Sequence, residues 1–225
     1  MDTCEGSDNA MGGYAPVDRR AFDATAQGLA DALCGNDAHI CLHLVRLLAE
    51  GRPVPRECLA AALGVPAAEL GALLARVPDA VFDRQGRVIA YGLSLTPTPH
   101  RFRVNGRDLY TWCALDALMY PVALRQRAEV TSHCPVSGAT IRLTVTPKTV
   151  ERVDPATAVV SIVIPASAAA CCKVRDTFCR HVPFLRGAEE AIAWQAAHPE
   201  AQLLPVHDTY TLARLLAQRR YRAAS

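Results

Sequence analysis

Two residue types that can do chemistry lie three positions apart in the string YTWCALDALMY, where Cys113 is followed by Asp116. Positions i and i+3 share one face of a helix, so a helix here would place a thiol beside a carboxyl. Backbone amides at a helix start favour a thiolate, and we expect them to lower the pKa of Cys113. Apolar neighbours of Asp116 should raise the proton affinity of its carboxyl, which would suit it to act as a general acid.

This spacing is not specific by itself. With nine cysteines and 22 acidic residues in 225, about one such pair is expected by chance, and two occur. The other pair, Cys34 and Asp37, lies in a predicted turn. The alternative for Cys113 and Asp116 is a small buried thiol and an ordinary helix-face carboxyl.

Further cysteines lie in two later strings. Cys179 occurs in RDTFCRHVPFL, where it is either a core residue or a second soft ligand near Cys113. Cys134 occurs in VTSHCPVSG, at a strand end before a turn, and we expect it to be buried and structural. The adjacent Cys171 and Cys172 form the spacing CC-x6-C-x-H with Cys179 and His181, which departs from the knuckle spacings of structural zinc sites.

Hydrolase and nucleotide-binding motifs are missing from the sequence. The generic enzyme that remains is a Cys–His hydrolase, in which Cys113 or Cys179 would pair with His133, His181 or His207.

The elements that must position these residues predict an α+β protein. A helix over 56–63, a turn at Gly64, a helix over 66–76 and a hairpin over 80–92 follow the winged-helix order. One interpretation is a metal- or thiol-responsive DNA-binding regulator. The second helix has almost no Arg, Asn or Gln to read bases, which favours a module that only packs, and we expect no nucleic acid partner.

The second half predicts a mixed α/β domain with antiparallel hairpins, the first of which turns at Asn105–Gly106. A helix should run from Cys113 to Met119, limited by Pro121. Further helices are expected over 188–197 and 209–222. The predicted organisation is a flexible tail over 1–16, a helical winged-helix-like domain over 17–95 and a catalytic domain over 96–225.

Composition narrows the class of protein. The formal net charge is +2 and 51% of the residues are hydrophobic, so neither a strongly basic nucleic-acid binder nor a disordered chain is indicated. The longest apolar run contains serines and a proline and is too short to span a bilayer. The odd number of cysteines and the acidic, polar N-terminus predict a reducing, cytoplasmic location.

Three strings together resemble the organomercurial (alkylmercury) lyases: YTWCALDALMYP, VTSHCPVSGATIRLTVTP and RDTFCRHVPF. The resemblance covers roughly residues 18–220. It implies a catalytic triad of Cys113, Asp116 and Cys179, with mercury held as substrate and product, and it implies that Cys134 is structural. Where some members have a second cysteine directly after the late catalytic one, this chain has Arg180.

The resemblance also implies the reaction. Two thiolates bind the mercury of R–Hg⁺ and the carboxyl delivers a proton to carbon, giving a hydrocarbon and Hg(II). Soft Hg(II) prefers thiolates, which agrees with this set of residues. Trp112, beside the first thiol, is either a pocket wall that excludes water or a core residue. No organic cofactor is implied, and the expected partners are methylmercury or phenylmercury, small thiols and a mercuric reductase.

Overall fold

The computed structural model describes residues 24, 26–29, 38–77, 79–163 and 174–221. The predicted tail over 1–16, Cys34 and the pair Cys171 and Cys172 lie outside the described residues. The helices are α1 (Ala38–Leu48), α2 (Arg56–Leu63), α3 (Leu70–Ala75), α4 (Ala114–Leu124), α5 (Val174–Thr177), α6 (Ala188–Ala197) and α7 (Val206–Tyr221). The strands are β1 (Val81–Phe82), β2 (Val88–Tyr91), β3 (Leu93–Ser94), β4 (His100–Val104), β5 (Arg107–Thr111), β6 (Ala128–His133), β7 (Thr140–Val145), β8 (Val150–Asp154), β9 (Val159–Ile162), β10 (Phe184–Leu185) and β11 (Gln202–Pro205).

The N-terminal part is a helical winged-helix-like module. Helix α2 ends where Gly64 adopts the left-handed conformation, with φ of 67°, so the predicted bounds of this helix are confirmed. Strands β1 and β2 form the predicted hairpin. Helix α3 is shorter than expected and begins at Leu70, because the segment after Pro66 forms a turn rather than a first helical turn.

The antiparallel sheet has eight strands in the order β1-β2-β3-β5-β4-β6-β7-β8. Strand β4 alternates buried and exposed residues, since one face of the sheet packs on the core. The β4–β5 turn has φ of 51° at Asn105 and 73° at Gly106, as the Asn-Gly pair predicts. Strand β3 pairs with β5, so the sheet continues across residue 95. The domain boundary between residues 95 and 96 stays a prediction.

Helix α4 is buried on all sides: its first eight residues, 114–121, are all buried. It packs along α7 and contacts α1 and the strands β4 and β5. The expectation that Pro121 limits this helix is wrong. The helix continues to Leu124 and is closed by Arg125 in the left-handed conformation, and packing compensates for the N–H that proline lacks.

The remaining elements complete the α+β architecture. Strands β10, β9 and β11 form a second antiparallel sheet. Helix α6 has the predicted bounds, whereas α7 begins at Val206, three residues earlier than predicted. Among the residues that the structure describes, none of the helices has the length and apolar character to cross a bilayer.

Candidate active site

Cys113 caps the N-terminus of α4. Strand β5 ends at Thr111 and the chain stays extended at Cys113, so the helix begins immediately after it. The Cys113 Sγ accepts a hydrogen bond from the backbone N–H of Asp116 at 3.4 Å. The Thr111 hydroxyl donates to the Cys113 carbonyl at 3.1 Å and fixes the backbone at this position. The predicted thiol–carboxyl pair therefore lies on the first turn of a buried helix.

Cys179 reaches the same place from a distant part of the chain. It begins a single 3-10 turn, Cys179–His181, directly after α5. The residue that follows the turn, Val182, accepts a hydrogen bond from the Ala114 N–H at 2.9 Å, which ties the turn to the start of α4. The Ser161 hydroxyl donates to the His181 carbonyl at 3.0 Å and holds the turn from its other side.

The three side chains meet in one cluster. One ligand atom from each of Cys113, Asp116 and Cys179 lies within 4.8 Å of the others. The Cys179 thiol donates to Asp116 Oδ2 at 3.9 Å. Their exposed fractions are 0%, 8% and 5%, so the cluster is almost closed to solvent. Two sulfurs and one carboxylate oxygen around a common centre form a donor set suited to a soft, thiophilic metal ion.

Burial raises the pKa of Asp116 from 3.8 to about 6. Hydrogen bonds from the Cys113 thiol and the Tyr120 hydroxyl, together with the positive charge of Arg220, stabilise the carboxylate and limit the rise. The raised proton affinity agrees with the sequence-based expectation. At neutral pH the carboxyl is mostly ionised, yet it takes up a proton readily.

The two thiols have raised pKa values. Burial raises the pKa of Cys113 well above its usual range, and the negative charge of Asp116 adds to this. The hydrogen bond from Cys113 lowers the pKa of Cys179, but burial and the charges of Asp116 and Asp79 together raise it above its ordinary value. The backbone N–H at the helix start does lower the pKa of Cys113, as expected, but desolvation outweighs this single bond, so the net shift is upward.

These values set the charges of the metal-free site. Near pH 7 both thiols are protonated and the carboxyl between them carries the negative charge. A thiophilic ion displaces thiol protons when it binds. The site thus contains both the protons that such an ion releases and, in direct contact, a base able to accept one.

A narrow cavity of about 20 Å³ adjoins the cluster at Asp116. Trp112 forms part of its wall, as the sequence suggested, and its ring packs edge-on against Tyr91 with centroids 5.9 Å apart. The Arg175 guanidinium lies 5.9 Å from the Trp112 ring centroid. The lining residues are Asp79, Tyr91, Gly92, Trp112, Asp116, Tyr120, Val174 and Arg220.

The structure separates the other candidates from this cluster. Cys134 is buried in the turn between β6 and β7, where its N–H donates to the Ala139 carbonyl, and it is not part of the cluster. Within the described ranges, neither Cys113 nor Cys179 hydrogen-bonds a histidine, so the arrangement of a Cys–His hydrolase is not present there. Cys171 and Cys172, whose spacing to Cys179 and His181 departs from that of structural zinc sites, lie outside the described residues.

Several residues of the site were not anticipated from the sequence. Tyr120 follows Asp116 by four positions on one helix, and this spacing was a usable signal. Arg220 on α7 and Asp79 in the N-terminal module had no local signal, because only the fold brings them to the cavity. Tyr91, which accepts a hydrogen bond from Arg220 at 3.2 Å, also belongs to the N-terminal module.

Fold and site together define a class of protein, a thiol-based enzyme for a soft metal. Residues 93–218 match the family model described as alkylmercury lyase, and residues 24–92 match the model of the helix-turn-helix domain of alkylmercury lyase. The chain therefore belongs to the alkylmercury lyase family. It is an organomercurial lyase, an enzyme that acts on a carbon–mercury bond.

Relatives described as alkylmercury lyases match most of the chain. The alkylmercury lyase of Staphylococcus epidermidis is 47% identical over 78% of this chain and 80% of its own length. That of Streptomyces lividans is 45% identical over 78% and 80%, and that of Pseudomonas putida is 42% identical over 81% and 84%.

A solved structure has the same fold. The crystal structure of the mercury-bound form of MerB2 superposes with a TM-score of 0.72 at 20% identity, covering 88% of this chain and 98% of that one.

Proposed function

We propose that the protein cleaves R–Hg⁺ by protonolysis to a hydrocarbon and Hg(II), in mercury detoxification, with Cys113, Cys179 and Asp116 as the catalytic residues. The observation that carries this proposal is the cluster itself, in which two sulfurs and a carboxylate oxygen lie within 4.8 Å of one another. In this assignment the sulfurs hold the metal and the carboxyl moves the proton.

In the first step, mercury moves from its carrier thiol to the enzyme. The Cys113 thiol gives its proton to the departing carrier thiolate of R–Hg–SR′ and forms a Hg–S bond. Thiolate is the preferred ligand of a soft ion, so this exchange loses little affinity. The nearly closed site then keeps water from the bound metal, since Cys113 and Asp116 are almost fully buried.

In the second step, the proton of the Cys179 thiol is transferred twice, first to Asp116 and then to carbon. Asp116, in contact with Cys179 at 3.9 Å, takes the Cys179 proton as that sulfur binds mercury. The carboxylic acid then gives the proton to the carbon on mercury. The electron pair of the C–Hg bond forms the C–H bond, Asp116 is again a carboxylate, and Hg(II) stays bound to two thiolates. A pKa of about 6 allows the same group to accept and then donate.

These steps need no organic cofactor, since the protein supplies every group that they use. The Hg(II) left on two thiolates is a tightly held product. We propose that small external thiols, or the cysteines of a mercuric reductase, remove it by thiol exchange. Trp112 lines the cavity beside the reacting centre and is assigned to the pocket wall.

The test is hydrocarbon release from phenylmercury, measured as benzene by gas chromatography. Cys113→Ser and Cys179→Ser are each expected to lose at least about a hundredfold in rate, because oxygen is a poor ligand for soft mercury. Asp116→Ala should bind the organomercurial and fail to cleave it. Parental turnover in either serine variant would refute the role of that sulfur.

A matched control is available in Cys58, an exposed cysteine of α2 outside the cluster. Cys58→Ser should keep the parental rate, which would show that loss of any one thiol is not sufficient to stop the reaction. The same preparations can be tested for binding to a DNA duplex by gel shift. Salt-dependent duplex binding together with no benzene release would favour the regulator instead.

A further inference from the structure

Gly92 and Tyr120 are in unusually close contact at the wall of the cavity. Gly92 joins β2 to β3 with φ of 65°. A Cβ at this position would overlap the Tyr120 hydroxyl oxygen and lie 2.7 Å from Cζ and 3.1 Å from Cε2 of the ring. The end of the Tyr120 ring therefore occupies the space that any side chain at position 92 would need.

The same tyrosine hydroxyl contacts the catalytic carboxyl. Tyr120 follows Asp116 by one helical turn on α4 and is 2% exposed. Its hydroxyl stabilises the ionised Asp116 carboxyl and so lowers the pKa of that group, and both side chains line the same cavity. The carboxyl thus has the two sulfurs within 4.8 Å and shares a cavity with the phenol.

Gly92 also contacts the segment that carries the first thiol. Its carbonyl accepts a hydrogen bond from the Trp112 N–H at 3.0 Å, directly before Cys113. The short turn at Gly92, in the N-terminal module, therefore contacts two parts of the proposed catalytic cluster. It contacts the backbone next to Cys113 and the Tyr120 phenol next to Asp116.

We propose that Gly92 and Tyr120 are a positioning pair for the lyase reaction: the bare backbone of Gly92 seats the Tyr120 ring, and the seated hydroxyl fixes the Asp116 carboxyl against the two sulfurs. The inference rests on the proposed role of Asp116 as proton donor. Proton transfer to carbon requires a donor placed within a few tenths of an ångström, and a 1 Å misplacement costs about a hundredfold in rate. A carboxyl held from two sides meets this requirement without help from the substrate.

The decisive variant is Gly92→Ala, compared with Gly106→Ala. Gly106 has φ of 73° and no atom within 4 Å of an added Cβ, so it shares the left-handed conformation of Gly92 but not the contact. Gly92→Ala is expected to lower kcat for phenylmercury at least about tenfold, with KM within about twofold and one Hg(II) bound per chain. Gly106→Ala should keep the parental kcat and show a smaller drop in Tm than Gly92→Ala, because it has the same backbone strain without the overlap.

Tyr120→Phe isolates the hydroxyl, since the ring stays seated on Gly92. We expect kcat to fall about fivefold, the factor that corresponds to one ordinary hydrogen bond, with KM unchanged. The double variant Gly92→Ala/Tyr120→Phe should be no slower than Gly92→Ala, because both changes remove the same contact. If Gly92→Ala does not fold, Tyr120→Phe decides the question alone.

Asp116→Asn in the same assay separates the two proposals. If Asp116→Asn is inactive while Gly92→Ala and Tyr120→Phe both keep the parental kcat, the positioning pair is wrong and the proposed function stands. If KM rises with kcat unchanged, the pair contributes to substrate binding only and the positioning role is also wrong. A parental rate in Asp116→Asn overturns the proposed function, and the positioning role with it.

Discussion

At Asp116, an effect that raises the pKa of the carboxyl is opposed by several that lower it. Burial raises its pKa, and contacts with Cys113, Arg220 and Tyr120 restrain that rise to about 6. A fully exposed carboxyl would be too weak a base to take a thiol proton, and an unrestrained buried one would remain protonated. The intermediate pKa follows from the position of the side chain. It suits the proposed role, in which the carboxyl first accepts a thiol proton and then donates it to carbon.

This pKa predicts how stability depends on pH. The folded-state pKa of Asp116 lies above its ordinary 3.8, so its favourable contribution is complete below about pH 4 and is lost as pH rises through 6. The loss corresponds to about 3 kcal/mol. The asparagine side chain of Asp116→Asn does not titrate. The free energy of unfolding of this variant should therefore increase relative to that of the parent between pH 4 and pH 7.

Urea unfolding of both proteins, kept reduced, at several pH values measures this difference. Cys113 and Cys179, whose pKa values depend on the charge of Asp116, stay protonated over this range, so the comparison isolates the carboxyl. A difference that stays constant across the range would show that the pKa of Asp116 is not raised.

At the scale of elements, α4 carries Cys113 and Asp116, and its cap, Cys113, is one of the proposed reacting groups. Because the Cys113 sulfur accepts the Asp116 N–H, the residue has a structural task besides its proposed chemical one. Serine is a good N-cap, and alanine offers no acceptor. The two substitutions should therefore have different effects on stability and the same effect on activity.

We expect Cys113→Ser to be about 1 kcal/mol more stable than Cys113→Ala, with neither releasing benzene. Thermal unfolding followed by circular dichroism gives the stability comparison. Equal stability of the two variants would mean that the sulfur does not cap the helix. A stable but inactive serine variant would separate the chemical task from the structural one.

Local signals predicted the elements that depend on local backbone chemistry. Gly64 fixed the end of α2, and Asn105–Gly106 fixed the β4–β5 turn, because both positions need positive φ. Pro121 misled for the opposite reason. Its effect on the helix is a local cost, and the packing of α4 against α7, which no local pattern reveals, outweighs that cost.

The convergence of the site was accessible from the sequence only through the resemblance to a family. Cys113 and Asp116 are linked by helical spacing, whereas Cys179 arrives through a backbone hydrogen bond between Ala114 and Val182. Periodicity carries no information about such a contact. The same holds for Arg220, which reaches the cavity from α7.

At the scale of the whole molecule, the N-terminal module is part of the site. It contributes Asp79, Tyr91 and Gly92 to the cavity, and its strands extend the sheet that leads to Cys113. The Asp79 carboxylate accepts a hydrogen bond from the Val174 N–H at 3.0 Å, at the start of the helix that precedes Cys179. The module therefore contacts the segment that leads to Cys179, and we expect this contact to help place the Cys179 thiol.

Asp79→Ala should release this segment. We expect kcat/KM for phenylmercury to fall about fivefold or more, because the Cys179 sulfur loses part of its placement. Asp79→Asn keeps an oxygen acceptor and should stay near the parental value. Equal activity of the alanine and asparagine variants would show that the contact has no part in the reaction.

The dimensions of the cavity have a consequence for how fast different compounds react. At about 20 Å³ it accommodates roughly one water molecule, whereas a cavity that holds benzene measures roughly 150 Å³. An aryl group is larger than this space, so we expect side chains of the cavity wall to move when an arylmercury compound binds, before the bond is broken. A bulky organic group should slow substrate binding more than it slows cleavage of the carbon–mercury bond. The reaction rates of different compounds at low substrate concentration should therefore decrease with the size of the organic group.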